Sequence, residues 1–155
     1  AFTHTVENGI ELWVADLESR SARRLTAPIV NNAYVSAFEW MPDNQSLMVS
    51  TIVEGRGEAP RQPRAPKGPV IQETAGAEAA SRTYQDLLEN AYDEQLFEYY
   101  TTVQLQRIDL NGKSSKVGQP AIIKSFDISP NGEYMLVLRE RCWRCRFFKE
   151  TATSM

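Results

Sequence analysis

The sequence predicts a mainly β fold: part of a β-propeller, with one full four-stranded blade, parts of two neighbours, and a Pro-rich and short helical insertion. Three observations point there. The first is an internal echo, in which Ala37-Phe38-Glu39-Trp40-Met41-Pro42-Asp43-Asn44-Gln45-Ser46-Leu47-Met48-Val49 lies over Ser125-Phe126-Asp127-Ile128-Ser129-Pro130-Asn131-Gly132-Glu133-Tyr134-Met135-Leu136-Val137. Each copy reads as a hairpin, because Pro fixes φ at the turn entry, Asp/Asn and Gly tolerate left-handed backbone, and apolar runs flank them. The second is a shorter echo of Glu11-Leu12-Trp13-Val14-Ala15-Asp16-Leu17 in Gln104-Leu105-Gln106-Arg107-Ile108-Asp109-Leu110, each ending on Asp-Leu before a polar turn. The third is strand order: short antiparallel units of four recurring along a chain are the mark of a propeller.

In chain order, strands are expected near 1–5, 11–16, 23–26, 35–40, 46–53, 103–109, 115–118, 123–128 and 134–139. Ala1 to Thr5 alternates β-branched or aromatic with polar residues, and Asn8-Gly9 suits a type I′ hairpin turn. The two long echoes lie roughly 90 residues apart, about twice the 40–50 of a typical blade. An insertion over residues 54–100 takes up the excess. The expected organisation is therefore a partial propeller over 1–139 and an atypical basic tail over 140–155.

The insertion opens with a strap over 58–70. Pro60, Pro63, Pro66 and Pro69 recur every third residue, along one edge of a polyproline II segment, and Arg61, Arg64 and Lys67 keep the same step. A Pro-x-x-Pro run beside Arg suits an SH3-like groove, but a stiff connecting strap is the simpler reading. A helix is expected about 77–91, with Tyr84, Leu87, Leu88 and Ala91 on one face. A second short turn from Asp93-Glu94 carries Leu96, Phe97, Tyr99 and Tyr100. Aromatics at helical spacing are expected to pack the insertion down rather than line a ligand site.

Composition excludes more than it identifies. With 155 residues, 42% hydrophobic, the chain can bury a core. Seventeen basic against twenty acidic residues leave no footprint for nucleic acid or anionic lipid. The longest apolar run, Tyr134 to Leu138, is far short of the roughly 18 residues a membrane helix needs. No cofactor is expected.

No residue qualifies as catalytic. There is no Gly-x-Ser-x-Gly elbow, P-loop, His-Glu-x-x-His or dinucleotide fingerprint. His4, the single histidine, would have to serve any Ser-His-Asp triad, yet no orienting motif surrounds it. Asp16 and Asp109 hold equivalent positions and read as strand-ending turn residues. Glu18 and Glu133 show no spacing that pairs them as acid and base. Cys142 and Cys145 form a lone C-x-x-C without the further ligands of a zinc knuckle or the βαβ context of a redox motif, and read as incidental thiols.

Gly68-Pro69-Val70-Ile71-Gln72-Glu73, Arg82-Thr83-Tyr84-Gln85-Asp86-Leu87-Leu88 and Asp93-Glu94-Gln95-Leu96-Phe97-Glu98-Tyr99-Tyr100 together resemble the propeller insertion of glutamyl endopeptidase-like enzymes. These belong to the prolyl oligopeptidase group of serine peptidases, known from chloroplasts and bacteria. The hairpin from Ser125 to Tyr134 is similar to the blade hairpin that follows in that family, so the resemblance covers about residues 1–139. It implies a propeller that caps an α/β-hydrolase domain and restricts access to it. The family's nucleophile, acid and base lie in that hydrolase domain, so no catalytic residue carries over. The implied partners are the hydrolase domain, the remaining blades and the parent's peptide substrates; the implied compartment is the chloroplast in a plant, or periplasmic or secreted in a bacterium.

After about Arg139 the sequence leaves the family pattern for the basic run Arg139-Glu140-Arg141-Cys142-Trp143-Arg144-Cys145-Arg146-Phe147-Phe148-Lys149. That departure, and a start inside a strand at Ala1, suggest a truncated or frameshifted product. The expected function is that of a non-catalytic propeller piece of a serine endopeptidase. The alternative is a stand-alone TolB/WD-like module for protein–protein interaction, its ring completed by self-association or by a partner.

Overall fold

A computed structural model describes residues 1–62, 88, 90–140 and 149–154. Its strands form two antiparallel sheets in which neighbours in sequence are neighbours in space. The first sheet contains β1 (Phe2–Val6), β2 (Gly9–Asp16) and β3 (Ser21–Arg24), in that order. The second runs in chain order through β4 (Phe38–Trp40), β5 (Ser46–Ile52), β6 (Thr102–Asp109), β7 (Ser114–Ile128), β8 (Tyr134–Glu140) and β9 (Lys149–Ser154). The helix α1 (Ala91–Thr101) leads directly into β6.

The meander follows from its turns. The β1–β2 turn is the expected one at Asn8-Gly9: Gly9 has φ +153°, and a Cβ there would lie 2.5 Å from the carbonyl oxygen of Pro28, so only glycine fits. At the strand ends, four Asx residues do the same work. Asp16 Oδ1 accepts from the backbone N–H groups of Glu18 and Ser19, and Asp43 Oδ1 from those of Gln45 and Ser46. Asp109 Oδ1 accepts from Asn111 and Lys113, and Asn131 Oδ1 from Glu133. A short Asx side chain can fold back on the backbone two residues on, which turns the chain and satisfies donors the ladder has left.

The two cores lie on opposite faces of β5. One gathers Leu12 of β2 with Leu47 and Val49 of β5, together with Leu25, Val30 and Ile108. The other gathers Met48 of β5 with Val103 and Leu105 of β6 and Phe126, Met135 and Val137 of β7 and β8. Alternation along β5 therefore sends odd residues to the first sheet and Met48 to the later strands. Residues 25–31 stitch the sheets together. Leu12 N–H donates to Thr26 Oγ1 at 2.9 Å, Val30 N–H to the carbonyl of Ile10, and Asn31 N–H to that of Ser50.

Several expectations are corrected. The two strands expected at 115–118 and 123–128 are one 15-residue strand, β7. Its first part pairs with β6 as far as Ile122, and its last part pairs with β8 from Ile122 onward. Gly118-Gln119-Pro120 forms a bulge instead of a turn: the pairing steps from Val103–Ala121 to Leu105–Val117, so Gln104 alone faces three residues. Proline holds extended backbone and favours it in the residue before, so the strand continues through. The strand expected from 35 begins only at Phe38, although Val35 is buried in the core. The third strand is Ser21–Arg24 and not 23–26, because Leu25 and Thr26 turn off to bond β2.

Within the insertion, residues 77–87 and 89 of the expected helix lie outside the described residues, as do Pro63, Pro66, Pro69, Cys142 and Cys145. Asn90 is extended, and its side chain accepts from Tyr92 N–H and Asp93 N–H, so Ala91 opens a new helix instead of closing an earlier one. The helix of 11 residues is longer than the short turn expected there. The tail expected to lack blade patterning supplies β9, which pairs antiparallel with β8 from Arg139–Lys149 to Tyr134–Ser154.

Candidate functional site

The residues weighed for chemistry fall into separate places. His4 on β1 stands opposite Glu11 on β2, with His4 Nδ1 3.6 Å from Glu11 Oε2 and its ring edge-on to Trp13 at 5.9 Å. Glu11 is the centre of this group. Its side chain is only 8% exposed, and it accepts from Trp13 Nε1 and Arg24 Nη1, both at 2.9 Å. The Trp13 hydrogen bond first, then Arg24, hold its carboxyl below the ordinary range. A carboxylate held by three donors is a poor base, and no hydroxyl or thiol among the described residues is hydrogen-bonded to His4. The group ties three strands together.

Asp16 and Asp109 occupy the turn positions expected of them, each spending its carboxylate on backbone N–H groups. Glu133 accepts from Asn131 Nδ2 at 2.8 Å within its own turn, and Glu18 lies in the β2–β3 turn on the other sheet. The structure does not bring these two together as an acid–base pair.

Two polar clefts were not foreseen. One, of about 320 Å³, is lined by Asp43, Ser46, Arg107, Asp109 and Lys113 at the end of β5 and β6. Arg107 Nη2 donates to Asp43 Oδ2 at 2.7 Å and Arg107 Nε to Ser46 Oγ at 3.0 Å, so its charged groups are matched to one another. The other, of about 480 Å³, lies beside the β7 bulge between Glu54, Gln104, Gln106, Lys116 and Pro120. Gln104 is buried, and its Nε2 donates to the carbonyls of Leu105, Val117 and Gly118. Thr51 Oγ1 donates to the carbonyl of Gln104 and accepts from Gln106 Nε2. This network satisfies the bulge and leaves no group poised for proton transfer.

The aromatic cluster of the insertion packs as expected. Phe97 meets Tyr34 edge-on at 5.3 Å, Tyr99 donates its hydroxyl to the Gly57 carbonyl, and the Arg56 guanidinium lies 4.1 Å over the Tyr99 ring. Asn31 Nδ2 donates to the Tyr100 carbonyl, closing the helix onto the loop between the sheets.

The two repeats themselves meet. Gly132 of the second turn lies against Pro42 of the first, with Pro42 Cδ 3.7 Å from where a Cβ would stand. Glu39 and Asp127, equivalent residues of the two repeats, are close enough that burial and the Asp127 charge together push the Glu39 carboxyl up. Among the described residues no cluster of three or more His, Cys, Asp or Glu is placed to hold a metal, and no helix is long and apolar enough to cross a membrane.

No family model matches the chain. It is 40% identical over 131 residues to a protein of Oryza sativa subsp. japonica named "probable glutamyl endopeptidase, chloroplastic". It is 42% identical over 129 residues to a protein of the same name from Arabidopsis thaliana. These matches take in 83% and 81% of this chain, but the chain spans only 14% and 13% of those relatives' length.

Proposed function

We propose that this chain is a non-catalytic portion of a glutamyl endopeptidase-like serine peptidase, belonging to a β-propeller that restricts which peptides reach a separate α/β-hydrolase domain. The observation that carries the reading is the 40–42% identity, spread over four-fifths of the chain, to a short stretch of two peptidases. The propeller part of the reading is supported by the way the repeats stack: equivalent turns touch at Pro42 and Gly132, and each repeat packs its Phe-bearing face on the unit before it. Radial repetition brings equivalent positions side by side in this manner. A compartment like that of the relatives, the chloroplast, belongs to the same proposal.

Two measurements test it. The purified chain should leave Glu-X and Pro-X peptides intact, and hydrolysis by a homogeneous sample would overturn the non-catalytic reading. A chimaera in which this chain replaces the matching stretch of the rice relative should fold and cleave a glutamyl peptide at a rate within about tenfold of the parent's. A soluble chimaera with intact hydrolase and no change in the size range of peptides cleaved after deleting the stretch altogether would refute a gating role.

A further inference from the structure

The packing of the units follows one rule, and the rule leaves two faces open. Each unit has a face that looks back along the chain and a face that looks forward. The forward face of the first sheet, with Leu12, packs on the backward face of the next unit, with Leu47 and Val49. The forward face of that unit, with Met48 and Leu105, packs on the backward face of the last, with Phe126, Met135 and Val137. Leu12 and Leu105 are equivalent in the shorter echo, so the same position serves the same contact twice.

What remains is the backward face of the first sheet and the forward face of the last. On the first, Phe2 is 43% exposed and stacks on Trp13 at 6.3 Å, cross-strand from it. On the second, Leu136 is 46% and Tyr134 55% exposed; Leu136 is the repeat equivalent of the fully buried Met48. Three of the five large apolar side chains exposed among the described residues thus lie on these two faces. Soluble chains seldom leave such groups on a sheet face without a partner. The charges also complement: Arg24 stands cross-strand from Trp13 on the first face, and exposed Asp127 stands cross-strand from Leu136 on the second.

We propose that the Tyr134–Leu136 face is a docking site for the Phe2–Trp13 face of a second copy of this chain, so that copies associate head to tail. The contact repeats the internal one and therefore joins two different surfaces. Such a heterologous contact closes into a ring if the rotation allows and otherwise extends. This inference rests on the packing of this chain alone and stands or falls apart from the peptidase reading.

The test is the mass of the full chain in solution, by sedimentation velocity across a concentration series. The wild type should show concentration-dependent species larger than one chain. Leu136→Glu and Phe2→Glu, each at an exposed position, should each raise the dissociation constant at least ~10-fold, since the contact would bury a charge in apolar surroundings. Mixed in equal amounts, the two variants should form a dimer that neither forms alone, because each supplies the face the other has lost. Tyr134→Glu should behave as Leu136→Glu and guards against a single misfolded variant; retained circular dichroism certifies each. A wild type that stays monomeric up to ~1 mM, where even millimolar affinity would show, overturns the proposal. So does undiminished association of folded Leu136→Glu, or a mixture that remains monomeric.

Discussion

Asp43 and Arg107, 64 residues apart, meet at 2.7 Å across the ends of β5 and β6, and Asp43 is at the same time the residue that makes its own turn. Its two oxygens divide the labour: Oδ1 takes the backbone N–H groups of Gln45 and Ser46, and Oδ2 takes the guanidinium. Both side chains are about two-fifths exposed, so the ion pair itself contributes little. Asp43→Ala should cost about 1–2 kcal/mol, mostly through the backbone donors it strands, while Arg107→Ala should cost less than ~1 kcal/mol. Urea unfolding of the two variants gives the ranking; equal losses would assign the effect to the ion pair instead.

Glu39 yields a pH dependence of unusual sign. Burial first, and the Asp127 charge second, push its carboxyl above the ordinary 4.5. A carboxyl raised on folding opposes folding once it must ionise; the opposition is full above the folded pKa and vanishes below the unfolded one. Glu39→Gln should therefore melt at a higher temperature than the wild type at pH 7 and at the same temperature near pH 4. Thermal melts at both pH values decide it, and a variant less stable at pH 7 would show that Glu39 has a compensating partner.

Glu11 behaves in the opposite way. Its carboxyl is lowered, first by the Trp13 indole and then by Arg24, so its contribution is present above the ordinary 4.5 and fades as pH falls through the lowered value. Glu11→Gln should destabilise at pH 7, with the gap to the wild type closing in acid. Trp13→Phe, which removes the largest lowering influence and leaves the packing, should narrow the pH dependence in the same direction. Urea midpoints from pH 7 to pH 3 follow both.

Gln104 is the side chain on which the β7 bulge depends. Gln104→Leu would leave the carbonyls of Val117 and Gly118 without their donor and should cost about 1–3 kcal/mol. Gln104→Glu, which keeps the shape but presents acceptor to acceptor, should cost at least as much at pH 7 and recover in acid. Recovery is the diagnostic outcome; equal loss at all pH values would make the role one of packing.

How much of this was legible follows from range. The Asx turns at Asp16, Asp43, Asp109 and Asn131 could be read because their chemistry spans only two to four residues. The strands could be read where alternation was clean, as in β5 and β8. Gln104 could not, since a polar residue inside a strand looks solvated until the facing bulge is known, and the bulge depends on pairing between β6 and β7. Gly118-Gln119-Pro120 misled for the converse reason: its local signal is a turn, and the pairing of β7 on both sides overrides it. Glu11 was passed over because its three partners come from three strands. The absence of a catalytic constellation was legible, since the motifs for one are local.

One strand serves both repeats: β7 pairs with β6 along its first part and with β8 along its last. The two units consequently have no seam at which either could be excised or melt alone. Breaking the rungs on one side unthreads the backbone that anchors the other, so the amides of β5, β6 and β8 should exchange with solvent in a single cooperative opening.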